Sequence, residues 1–266
     1  MTAFIHKLIN TKQGVLVLPR VDVITNIHLP EPDVRAESAT QEFPLGTALI
    51  TDDGVFRYAK CGGSAVTIGK LLQQAAVDTN DDADVAVAAA AAVGATTVTI
   101  TGPTGGFTAN QYKDGWMYVN DQAGEGATYK IKSHPAISAS ASGVITLVDP
   151  IEVALTTSSQ VGFRKNLYDG VIVNPTTASG IPVGVVNHSS FTASYYAWIK
   201  TKGVAAVLTN GTVVLGEPIT ISNTTAGSVD AYDEDGASNN VIVGQVMAVG
   251  GSTEYSLVKI DLDPSW

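Results

Sequence analysis

The chain has 266 residues, enough for one large or two ordinary domains with a real core. Apolar residues make up 45% of it and charged residues only 15%, against about 25% charged in an average soluble protein. The net charge is −10, and no stripe of Lys or Arg offers itself to a phosphate backbone, so direct DNA or RNA binding is not expected.

Low charge together with 26 glycines and much Thr, Ser, Val and Ala indicates a β-protein whose surface is partly covered by neighbours. The plain alternative is a rather neutral monomer. Cys61 is the single cysteine, which excludes an intrachain disulfide and a cysteine-built metal site. The opening stretch MTAFIHKLINTKQG has neither the basic start nor the unbroken apolar run of a secretory signal. No apolar run approaches the roughly 20 residues of a membrane span. The expectation is synthesis in the cytoplasm and no membrane partner, so the sequons at Asn187, Asn210 and Asn223 are taken as chance matches.

Residues 1–84 read as an extended N-terminal arm with a small β/short-helix region. Gly14–Thr25 is β-rich, but Pro19 lacks the N–H that a ladder needs and marks an edge or bent strand. Pro30 and Pro32 extend the chain after it, so residues 1–42 are expected to be mobile alone and ordered on assembly. Short strands are predicted at Ala48–Thr51 and Val55–Lys60 around the turn Asp52-Asp53-Gly54. Ile68–Ala76 is the best helix candidate, with Leu71, Leu72 and Ala75 on one side.

A β-domain is expected over 85–165. The run VAVAAAAAV (Val85–Val93) mixes alanine, a helix former, with alternation at its start. The strand-like ATTVTIT that follows decides for strand. Further strands are predicted at Trp116–Asn120, Ala127–Ser133, Val144–Val148 and Val153–Thr156. Turn signals separate them at Lys113-Asp114-Gly115, Gly124-Glu125-Gly126 and Ser142-Gly143. Such spacing is what an antiparallel sandwich or barrel requires.

A second β-domain, barrel or sandwich, is expected over 166–266. Its strands are placed at Val171–Val173, Val183–Val186, Tyr195–Lys200, Ala205–Leu208, Thr212–Leu215, Ile219–Ile221, Val241–Val249 and Tyr255–Leu262. Asn210-Gly211 between β-rich flanks is the strongest hairpin signal in the chain. Asp230–Asn240 is a run of like charges expected to stay in water. The fold class is therefore all-β, as two sandwich- or barrel-like domains with an extended arm.

Chemical motifs were sought and fell short. Gly63–Lys70 (GSAVTIGK) has five residues between its glycines and Leu71 after the lysine, so it lacks the phosphate cradle and the magnesium hydroxyl of a P-loop. Asp78, Asn80, Asp82 and Asp84 alternate like calcium ligands, but Ala83 and Ala89 stand where the turn glycine and the bidentate glutamate belong. Asp233 and Asp235 fail likewise, with Ile242 at the glutamate position. His6, His28, His134 and His188 are scattered singly; the last two lie beside turn signals and are expected to face solvent. Glu125 and Glu152 have the chemistry of a glycosidase pair, but two glutamates in a β-protein are expected to be surface residues. Trp116, Tyr118 and Tyr129 interleave with polar residues as a sugar-binding face does, and ordinary core packing is the competing explanation. No catalytic, cofactor-binding or metal residue is assigned, and the chain is expected not to be an enzyme.

One resemblance joins these stretches. Gly180–Gly184 (GIPVG), Ala193–Ile199 (ASYYAWI), Gly203–Ala205, Asn210–Thr212, Gly216–Ile219 (GEPI), Val243–Val246 (VGQV) and Tyr255–Lys259 (YSLVK) follow one another in an order that resembles the head decoration, or cement, proteins of tailed bacteriophages. Phe43–Thr47, Gly54–Lys60 and Asp149–Val161 are similar to phage virion structural proteins in the same way. The resemblance implies a structural protein on the capsid exterior, made in the host cytoplasm, with the major capsid protein as partner. It implies no cofactor and no catalytic residue. Self-association is expected, a trimer ahead of a dimer, because symmetric assembly covers strand edges and multiplies weak lattice contacts. The alternative is a tail- or fibre-associated adhesin that binds host glycans through Trp116 and Tyr118.

Overall fold

The computed structural model describes residues 8–19, 29–81, 83–233 and 241–263, and among these there is no helix. The chain is all-β and divides into two compact units. Residues 77–166 form one; residues 1–76 and 167–266 together form the other. The smaller unit is thus inserted into the larger, whereas the sequence led us to place three segments in a row. Strand pairing between distant segments explains the difference, since it leaves no local mark in a sequence.

The inserted unit is a closed barrel of six antiparallel strands. In order round the wall they are Trp116–Asp121, Thr128–Ser133, Ser142–Leu147, Thr97–Thr101, Val85–Ala89 and Gln160–Arg164, which returns to the first. Alternation fills it. Val85 and Val87, Val98 and Ile100, Met117 and Val119, Tyr129 and Ile131, Ile145 and Leu147, and Val161 and Phe163 all point into one core. A barrel this narrow is packed by side chains and encloses no channel. Val85–Ala89 is a strand as expected from its alternation. Val153–Thr156 is not a strand; Leu155 makes a single bridge to Ala91. Ser142-Gly143 is not a turn either, for both residues begin a strand. A Cβ on Gly143 would lie 2.4 Å from the Ile137 side chain, so that glycine serves close packing.

The larger unit is built on a 13-stranded mixed sheet. Its centre is the 13-residue strand Tyr196–Leu208, which had been expected as two strands. The first half of this strand pairs with Gly54–Cys61 and the second half with Tyr255–Asp261. Gly54–Cys61, Asp169–Val173, Leu71–Gln73, Pro182–Val186 and Tyr196–Leu208 pair in a circuit that closes on itself. Ala59, Leu72, Val171, Val183 and Ile199 of these strands share one core cluster with Phe191 of the separate short strand Ser190–Phe191. Beyond it, Tyr255–Asp261, Ile242–Ala248, Pro218–Ile221 and Val229–Ala231 continue the sheet over a second, Val- and Ile-rich core. An aromatic core of Phe43, Phe56, Tyr58 and Trp198 lies on Gly54–Cys61 and its neighbours.

Three expectations are corrected here. The described part of the leader is no free arm: Val15–Val17 pairs with Leu8–Asn10 on one side and Ala48–Thr51 on the other. That strand ends before Pro19, so the missing N–H costs no ladder bond. Residues 1–7 and 20–28 of the expected arm lie outside the described residues. Ile68–Ala76 contains the strand Leu71–Gln73, not a helix, because both faces of it are buried between strands. Asn210-Gly211 closes no hairpin, since Thr212–Leu215 is not a strand. Instead Asn210 Nδ2 donates to Thr224 and Asp230, tying the loop sideways to the strand Val229–Ala231.

Candidate functional site

Each unit presents one face worth weighing. On the barrel, inward Met117 and Val119 leave Trp116 and Tyr118 on the outer side of their strand. Trp116 is 45% exposed, high for an indole. Register sets Arg164 directly across from it on one neighbouring strand and Lys130 on the other. The Lys130 ammonium lies 5.9 Å from the centre of the indole. Tyr129 does not belong to this face: it is buried in the barrel, where its hydroxyl accepts the Glu152 N–H. Glu125 and Glu152 occupy turns and are exposed.

On the larger unit, the strands Tyr196–Leu208, Tyr255–Asp261 and Ile242–Ala248 bury Val207, Val258, Ile260 and Val246 on one side. Their other side is apolar at one end, where exposed Leu257, Tyr255 and Met247 lie, and polar at the other, where Val204 stands across from Lys259 and Lys202 across from Asp261. Lys259 and Gln245 pair at its polar end.

The polar groups that sequence reasoning overlooked are buried. Asp81, not Asp78 or Asp84, is the enclosed carboxylate of the DTNDDAD turn. One of its oxygens accepts the Tyr112 hydroxyl and the Gln111 amide at 3.3 Å. Burial raises the Asp81 carboxyl above its ordinary range, and burial next to that carboxylate raises the Tyr112 phenol. Asp78 and Asp84 spend their oxygens on Asn80 and Asn120; Asp82 lies outside the described residues. Among the described residues no cluster of His, Cys, Asp and Glu could hold a metal ion.

His134 and His188 were expected in solvent and are instead 3% and 5% exposed. His134 Nε2 accepts the Tyr112 N–H at 3.1 Å, so its proton sits on Nδ1, 2.8 Å from the Pro135 carbonyl. Burial lowers the pKa of both rings. His6 and His28 lie outside the described residues. Cys61 is buried, and burial pushes its thiol up to about 11. It stays protonated, pointing at the Ser64 and Phe191 carbonyls, and is no nucleophile. In Gly63–Lys70 the Lys70 ammonium reaches the Ala226 carbonyl at 3.3 Å, which gives that stretch a structural use.

A polar hollow of about 560 Å³ is lined by Asn210, Thr212, Asn223, Asp230 and Tyr232. Its Asn210 and Asp230 side chains already bond each other at 3.0 Å. Asp233 is exposed beside it, while Glu234 and Asp235 of the acidic run lie outside the described residues. No family model, curated protein or solved structure matches the chain.

Proposed function

We propose that the chain is a non-enzymatic virion component that docks on a bacteriophage capsid lattice, its two units serving as two barrel-like bodies. The observation that carries this is the apolar end of the outer side of the three central strands, where Leu257, Tyr255 and Met247 are exposed together. Scattered exposed apolar residues are ordinary. Neighbours on paired strands form a patch, and patches of several hundred Å² mark interaction surfaces. A repeating protein shell suits such a patch, because many modest contacts sum over a symmetric lattice. The low charge and the resemblance to decoration proteins point the same way, with the major capsid protein as partner and a homotrimer as the assembled form.

Co-sedimentation with empty shells of the cognate major capsid protein tests this. Saturable binding that Leu257→Asp or Met247→Asp abolishes is the expected result. No binding, or binding indifferent to both substitutions in a folded protein, overturns it. Light scattering tests the assembly: a strict monomer both free and on the shell overturns the trimer.

A further inference from the structure

The outer face of the barrel carries an inference independent of lattice docking. Trp116 lies on a strand whose alternate residues already fill the core, so its exposed indole adds little to folding. Cations frame it. Arg164 stands across from it on one side and Lys130 on the other, with Lys130 over the ring. Lys132 follows on the same side of the Lys130 strand and is exposed. Residues 77–166 hold five basic residues against nine acidic ones. Two of the five basic residues therefore flank one indole and a third stands two residues along, although the unit as a whole is acidic.

We propose that this face binds an acidic saccharide, one bearing uronic-acid carboxylates or sulfates. The C–H face of a pyranose is weakly positive and stacks on the negative face of an indole. A neutral sugar would have to displace Lys130 from the ring and return nothing for the lost cation–π contact. An acidic sugar repositions that ammonium onto its own carboxylate or sulfate, and Arg164, whose planar fork such groups accept, exchanges for it the partner it holds within the chain. Tyr118, two residues along and on the same side, lies roughly 7 Å from Trp116 by strand geometry, close enough to border a second ring. Single-stranded nucleic acid shares the need for an aromatic and cations. It also needs a basic track along several nucleotides, and a unit with nine acidic residues does not supply one.

The test uses the intact protein with four probes: a heparin-derived hexasaccharide, a hexagalacturonate, maltohexaose and a hexathymidylate. Binding is followed by calorimetry and by tryptophan fluorescence, with the emission of Trp198 and Trp266 taken as background from the Trp116→Ala variant. Either acidic hexasaccharide should bind with loss of tryptophan emission, and more weakly as salt rises. Trp116→Ala should weaken it roughly tenfold or more, the range for an aromatic anchor. Lys130→Ala and Arg164→Gln should weaken it and flatten its salt dependence. Circular dichroism of the variants should match the parent, and Trp116→Ala should still sediment with shells. Equal binding of maltohexaose, stronger binding of hexathymidylate, binding untouched by Trp116→Ala, or no binding of the acidic probes would each overturn the proposal.

Discussion

The ion pair between Arg57 and Asp263 gives a sharp test of how the larger unit is held together. Arg57 Nε and Nη2 donate to the two Asp263 oxygens at 2.6 and 3.1 Å, and Nη1 donates to the Gly46 carbonyl at 2.9 Å. The Tyr168 ring lies 5.9 Å from the guanidinium. Asp263 is only 3% exposed, so the pair ties the last described residue into the sheet formed by the first part of the chain. Asp263→Ala leaves a largely buried guanidinium with one carbonyl and a ring. Removing one partner of a buried pair costs about 3–5 kcal/mol. Replacing both partners with apolar residues, as in Arg57→Met with Asp263→Leu, should cost far less, because no charge is then stranded. The control is Lys202–Asp261, 3.4 Å apart with both side chains substantially exposed, where Lys202→Ala should cost under about 1 kcal/mol. Urea unfolding read by tryptophan fluorescence measures all three variants, with Trp198 reporting from the larger unit. The reasoning fails if Asp263→Ala loses less than about 1 kcal/mol at unchanged denaturant slope.

Acid should destabilise the protein before its carboxylates matter. His134 and His188 have folded pKa values below 6.5, so both states are neutral above that pH and the full stability is present. As pH falls below 6.5 the unfolded chain takes up protons that the folded one refuses, at up to about 1.4 kcal/mol per pH unit for each ring. Urea midpoints at pH 7.5 and 5.5 should differ, and His134→Gln should shrink the difference; a flat profile refutes this. Asp81 acts with the opposite sign nearer pH 4, since its raised folded pKa makes ionisation cost stability. Lys200 is buried against the Phe56 ring and the Val204 carbonyl, with its pKa lowered by burial. Wild type should therefore gain stability as pH rises through its folded pKa toward 10.5, and Lys200→Met should be as stable or more so at pH 7 and lose that alkaline gain. A loss of several kcal/mol in Lys200→Met at pH 7 would refute the argument.

Period-2 alternation made five of the six barrel strands legible, because each has one wet and one dry face, as Met117 and Trp116 illustrate. It missed Gln160–Arg164, whose three middle residues are all buried. It failed where both faces are buried. Leu71–Gln73 has no alternation to show, and two adjacent leucines there looked helical. Asn210-Gly211 has the composition of a hairpin turn, yet tertiary bonds from Asn210 to Asp230 and Thr224 outcompete local closure. His134 and His188 were assigned to solvent from neighbouring turns; His134 is instead held by the Tyr112 N–H and the Phe107 ring from a distant segment, and His188 lies buried against the Phe191 ring. Of the proposed saccharide face, Trp116 and Tyr118 were visible in sequence through their shared strand parity. Arg164 was not, because the strand Gln160–Arg164 meets Trp116–Asp121 from some forty residues away.

The insertion itself has a physical rationale that can be tested. The chain leaves the larger unit after Leu71–Gln73 and returns in Asp169–Val173, and these two strands are antiparallel neighbours paired at Gln73 and Ile172. The two chains are still side by side further out, since a Cβ on Gly170 would lie 3.6 Å from that of Ala75. The barrel thus occupies the place of a hairpin loop, and the loop-closure cost grows only as the logarithm of loop length. Residues 77–166 pack as a compact unit with their own core, so little of the larger unit's stability should depend on them. Replacing 77–166 with a short Asn- and Gly-containing turn should leave a soluble β-protein that unfolds cooperatively in urea. The Trp198 emission and the effect of Asp263→Ala should carry over from the full chain. An excised protein that is molten, or in which Asp263→Ala no longer has an effect, would show that the barrel is structurally required and that the hairpin description is wrong.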